Sequence, residues 1–127
     1  MNFKWSTNEA VATVISFYPT NITLNKVACR YFDDVNYVLL GVDEEQHQIG
    51  IKPLSKEEID QNLYASDCYF KLSLGKSYGR ISNKGFMEMI ADLIPLDFKN
   101  NSCYKFIGHY DHRQDILIID YKEGGIL

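Results

Sequence analysis

Residues 37–52 read YVLLGVDEEQHQIGIK and residues 104–119 read YKFIGHYDHRQDILII, and the two lie one above the other without a gap. In that pairing Tyr37 meets Tyr104, Leu39 meets Phe106, Leu40 meets Ile107, Gly41 meets Gly108, Ile49 meets Ile116 and Ile51 meets Ile118. Each stretch is an apolar run, a polar turn and a second apolar run, which is the pattern of a β-hairpin. Side chains alternate faces along a strand, so a shared register predicts that matched residues share a face. A slip of one residue reverses every one of them.

Upstream the match continues after one indel, with Ile22-Thr23 beside Ile81-Ser82 and Asn25-Lys26 beside Asn83-Lys84. Asn25 and Asn83 stand where a helix N-cap belongs. Val27, Ala28, Tyr31 and Phe32 follow the first, and Phe86, Met87, Ile90 and Ile94 follow the second, at helical spacing. A β-branched run at 10–17 opens the first unit and a run at 68–74 opens the second. The same order of elements twice over is the mark of an internal repeat. The sequence therefore predicts an α+β domain of two β–β–α–β–β units. Unit one spans 10–53 and unit two spans 67–121. Residues 54–66 link them through a short helix, opened by the capping-box spacing of Ser55 and Glu58.

Length and composition fit that reading. A chain of 127 residues forms one domain, here 1–127, with enough apolar residues for a core of its own. The formal charge of −4 opposes strong non-specific attraction to nucleic acid over the whole surface, but permits a local basic patch. The three cysteines, Cys29, Cys68 and Cys103, are far apart and suggest neither a disulfide framework nor a zinc ribbon. No apolar run reaches membrane-spanning length and the N-terminus lacks a signal layout, so the expectation is a cytoplasmic protein without a membrane partner. Phe3 and Trp5 read as a packed N-terminus or an arm.

The sharpest local chemistry is in residues 68–87, CYFKLSLGKSYGRISNKGFM, which hold Lys71, Lys76, Arg80 and Lys84, with Tyr78 among them and no acid. Clustered cations beside an aromatic ring suit phosphate contact. The competing reading is the solvated face of a half-buried strand. Unit one has weaker counterparts in Lys26 and Arg30 and carries much of the acidity, in Asp33, Asp34, Asp43, Glu44 and Glu45. His109 and His112 fall on opposite faces of a strand entering a turn, which argues against a metal site. No paired carboxylates in a cleft pattern, nucleophile elbow, phosphate loop or dinucleotide fingerprint occurs, so neither an enzyme nor a cofactor is expected.

Gly79-Arg80-Ile81, then Ser82-Asn83-Lys84 and the helical stretch 85–94, together with Asn21-Ile22-Thr23-Leu24-Asn25-Lys26 in the first unit, resemble the AbrB/MraZ class of swapped-hairpin proteins. The family's proline at the helix start is Asn25 and Asn83 here. Its arginine position is held by Cys29 and Met87, with Arg30 one place late in the first unit. The resemblance covers 10–121 and implies a strand-rich swapped-hairpin barrel with short helices. It also implies a transcription regulator that meets duplex DNA at the strand–helix junction, through Lys71, Lys76, Tyr78, Arg80 and Lys84 and more weakly through Lys26 and Arg30. The layout is also similar to short proteins of phages and mobile elements. That suggests the alternative of a protein-interaction module or inhibitor, with the five acids of unit one facing a protein partner. Oligomeric state stays open.

Overall fold

Strands form where the sequence alternates or is β-branched, and helices where Asn or Ser opens a run of apolar residues at helical spacing. The computed structural model describes residues 12–94 and 96–122. Phe3, Trp5, the first two residues of the expected 10–17 strand, and Pro95 lie outside the described residues. In chain order the elements are β1 (Val14–Phe17), β2 (Asn21–Asn25), α1 (Lys26–Cys29), a 3-10 turn (Arg30–Phe32), β3 (Tyr37–Asp43) and β4 (Gln48–Leu54). There follow α2 (Lys56–Asp60), a second 3-10 turn (Ser66–Cys68), β5 (Phe70–Leu74), β6 (Tyr78–Ser82), α3 (Lys84–Leu93), β7 (Tyr104–Asp111) and β8 (Ile116–Asp120). The three expected caps form. Asn25 Oδ1 accepts from Ala28 N at 3.0 Å, and Asn83 Oδ1 from Phe86 N at 2.8 Å. Ser55 and Glu58 close a reciprocal capping box at 3.1 Å each way. Such a cap contributes about 1 kcal/mol to its helix.

The eight strands close into an antiparallel barrel in the order β1-β2-β6-β5-β3-β4-β8-β7. Closure gives every strand a neighbour on both sides, although β3 meets β5 only through Tyr37 and Val38. Alternation then sorts the side chains: Ile22 and Leu24 of β2, Ile49 and Ile51 of β4, Ile81 of β6, and Leu117 and Ile119 of β8 are buried, while their neighbours along each strand are more exposed. Each such side chain contributes roughly 1.5–3 kcal/mol on leaving water. Asn25 pairs with Tyr78 and Asn21 with Ser82, so α1 and α3 start from opposite ends of the β2–β6 ribbon. Ala28 and Phe32 from one end and Phe86, Met87 and Ile90 from the other join the strand residues in one buried cluster. Gly79 makes room at the α1 end, since a Cβ there would lie 3.0 Å from Cys29 Sγ.

The two hairpins correspond by their turns, and this corrects the gap-free pairing by one residue. Asp43 pairs with Gln48 and Asp111 with Ile116, each across a four-residue turn. Asp43 Oδ1 accepts from Gln46 N at 3.1 Å, and Asp111 Oδ1 accepts from Gln114 N at 3.4 Å. The last turn residue has positive φ in both, 57° at His47 and 54° at Asp115. Asp43 therefore corresponds to Asp111. Buried Val38, Ile49 and Ile51 correspond to buried Phe106, Leu117 and Ile119. The gap-free pairing instead sets buried Ile49 and Ile51 against half-buried Ile116 and Ile118, which point outward. The cause is the run ILII at 116–119: with apolar residues on both faces, it carries no alternation to reveal which face is inside.

Candidate nucleic-acid interface

Alternation on β6 sends Gly79 and Ile81 inward and Tyr78, Arg80 and Ser82 outward. On β2 it sends Ile22 and Leu24 inward and Asn21, Thr23 and Asn25 to the other face. The registers align these outward positions in rows. Arg80 lies between Thr23 of β2 and Ser73 of β5, and Tyr78 lies opposite Asn25. Lys71 is one residue beyond the Leu72–Ile81 pair and directly opposite Tyr37 of β3. That sets Lys71 diagonally from Arg80, at about 7–8 Å between backbones. The outward positions of these three strands hold cations, hydroxyls, amides and one phenol, and no carboxylate.

The ends of the ribbon add charge. Lys76 sits in the turn closed by Gly75 N donating to Tyr78 O at 2.8 Å, two residues before Tyr78. Asn25 pairs with Tyr78, so Lys26, the next residue, borders the same end. Lys84 follows Ser82 at the opposite end, where Asn83 N donates to Thr20 O at 3.1 Å. Of these cations only Lys84 has a carboxylate partner among the described residues, Glu88 at 3.9 Å, both side chains being mostly in water. Such an exposed pair is weak. The Arg80 guanidinium lies 5.4 Å from the Tyr78 ring centroid. That contact holds the fork along the strand and leaves its N–H groups facing solvent.

The structure thus gathers Lys71, Lys76, Tyr78, Arg80 and Lys26 along one ribbon and its ends. Arg30 is exposed on the 3-10 turn after α1, outside the strand pairing. Thr23, Ser73 and Asn21 join the strip unannounced, although the alternation of NITLN at 21–25 already marks Asn21 and Thr23 as outward. The positions where the family resemblance expects arginine face the core. Met87 is buried, and burial pushes the half-buried Cys29 thiol above its ordinary pKa, keeping it neutral. The five acids of the alternative reading separate. Asp33 and Asp34 precede β3 while Asp43 ends it and Glu44 and Glu45 follow, and β3 is seven residues long, roughly 20 Å.

His112 packs edge-on against Tyr31 and Tyr110, whose rings stack at 4.5 Å, and His109 is exposed on β7. Among the described residues no three His, Cys, Asp or Glu side chains come together as metal ligands, and no helix is long and apolar enough to cross a membrane. Comparison with family models, with curated proteins and with solved structures gives no match to this chain.

Proposed function

We propose that the protein binds the backbone of duplex DNA along the outer face of β2, β6 and β5, as a DNA-associated regulator. One observation carries this reading: the outward positions of the three strands hold Arg80 and Lys71 without a single carboxylate, in a chain whose net charge is −4. Acids outnumber bases overall, so a face free of them concentrates the positive potential locally. The β2–β6 pairing is five residues long, about 17 Å, enough wall for several phosphates of one strand to be met without entering a groove. The Ser73 and Ser82 hydroxyls add hydrogen-bond donors to phosphate.

We read the chain further as a tandem swapped-hairpin unit of the AbrB/MraZ type. Strand–strand–helix–hairpin occurs twice in the element order. The pairing pattern also survives exchange of the two halves: β1 with β7 matches β5 with β3, while β2–β6 and β4–β8 map onto themselves.

The test is binding to a labelled duplex as salt is raised. Four cations, Lys26, Lys71, Lys76 and Arg80, give a slope of about −3.6 in log K against log salt, and an Arg80→Ala/Lys71→Ala variant brings it to about −1.8. Neutralising Asp43, Glu44 and Glu45 leaves the slope unchanged. Absence of saturable binding in low salt sinks the reading.

A further inference from the structure

Next to the cationic strip, beyond β5, β3 and β4 bring Gly41 and Gly50 directly opposite each other. Both are at outward positions, and a Cβ on Gly41 would meet no atom within 4 Å. Glycine weakens a strand interior, and an outward pair of them marks a place where something approaches the backbone closely. Here the pair floors a recess of about 530 Å³. Leu39, Phe70 and Ile116 wall it, and Tyr64 and Cys68, on either side of the second 3-10 turn's start, rise over one side. An adjoining recess shares Gly41, Gly50 and Ile116 and reaches Gln114. Small-molecule sites have this size, this apolar lining and few polar groups.

The polar group that selects is Lys52. It is half-buried, lines the recess, and its Nζ donates to the backbone oxygen of Gln114 at 2.9 Å. Among the described residues no carboxylate lies within ion-pair distance of it. Asp67 lines the same recess at its exposed lip, with Cys68 Sγ 3.9 Å from its carboxylate, and Glu58 and Asp115 share a neighbouring recess with Lys52, each beyond ion-pair distance. A cation held by a neutral carbonyl, beside the bare backbone of Gly41 and the Ile116 side chain that covers Gly50, complements an anion on a flat apolar body.

We propose that this recess binds a small organic anion, with its planar apolar body over Gly41 and against Ile116 and its charged group on Lys52. The site is separate from the cationic strip and stands whether or not that strip binds DNA.

The probes are 8-anilinonaphthalene-1-sulfonate, a flat aromatic anion, and N-phenyl-1-naphthylamine, the same body without charge. The native chain binds the sulfonate at one saturable site. Lys52→Met, which keeps the stem, weakens the sulfonate about tenfold and leaves the neutral amine unchanged. Gly41→Leu fills the floor and abolishes both, while unfolding at an unchanged or higher urea concentration. Equal binding by Gly41→Leu, no saturable site in the native chain, or the same effect of Lys52→Met on both probes overturns the proposal. A measurement on the unaltered chain guards against a variant that fails to fold. Saturating sulfonate slows alkylation of the exposed Cys68 at the lip, and an unchanged rate overturns the proposal as well.

Discussion

The β3–β4 hairpin turns Gly41 outward into open space, whereas the β7–β8 hairpin turns Gly108 inward, where a Cβ would lie 2.6 Å from Ile15 Cδ1. The two hairpins share an Asp-anchored turn of four residues, and the turn fixes which residues face the core. Counted from the turn, Gly41 corresponds to His109 and Gly108 to Leu40. A displacement of one residue therefore converts a glycine that opens a surface recess into one that lets the side chain of Ile15 on the neighbouring strand lie across it. Glycine serves close approach in both, to a ligand on one side and to β1 on the other.

The largest way to break the comparison is at the core end of β7. Phe106 is buried with its ring 5.1 Å from that of Phe17. Phe106→Ala is expected to cost about 3–5 kcal/mol in urea unfolding. Leu39→Ala, the partner of Phe106 in the gap-free pairing, is expected to cost less than about 1.5 kcal/mol because Leu39 is only half-buried at the recess. Similar losses at the two sites would restore the gap-free register.

The glycines themselves give the next effect, with opposite signs. Gly108→Val must displace Ile15 and press on the Ile118 carbonyl, 3.2 Å from the new Cβ, and is expected to cost about 1–3 kcal/mol. Gly41→Val meets nothing and sits in a strand at ordinary φ, so a gain of up to about 1 kcal/mol is expected from the same unfolding curves.

The smallest effect is acid sensitivity of the second turn. The Gln114 side-chain amide, with the Arg113 and Gln114 backbone N–H groups, holds the Asp111 carboxyl below its ordinary pKa. The folded value is lower than the unfolded one. The turn's contribution is therefore complete above the ordinary carboxylate value of about 4 and drains as pH falls through the lower folded value. A proton titration followed at the Gln114 side-chain amide should show this, and Asp111→Asn should flatten it.

Much of the scaffold is legible in the chain because its signals are local. Asn25, Asn83 and Ser55 announce three helix starts by side chains that act within three residues. The outward placement of Tyr78 and Arg80 follows from period two on β6 alone. The register of the second hairpin is not local. It depends on the turn geometry around Asp111 and on Ile116 and Ile118 facing a recess instead of water, which makes both faces of β8 apolar. The recess escapes sequence reading for the same reason. Gly41 and Gly50 become a pair only through the β3–β4 ladder, and Phe70 and Cys68 arrive from the other half of the chain. The five acids stand at the two ends of one seven-residue strand, a spacing that the strand's length sets and composition alone does not reveal.

The ring order has a consequence for how the chain is made. β1 is closed on one side by β7, and Val14 meets Ile107 about 90 residues later. At ribosomal speeds of roughly 5–20 residues per second, β1 waits about 5–20 seconds for the strand that completes it. Throughout that interval the nascent first half carries an open edge, so the last hairpin to emerge is also the one that ends the chain's exposure to other chains.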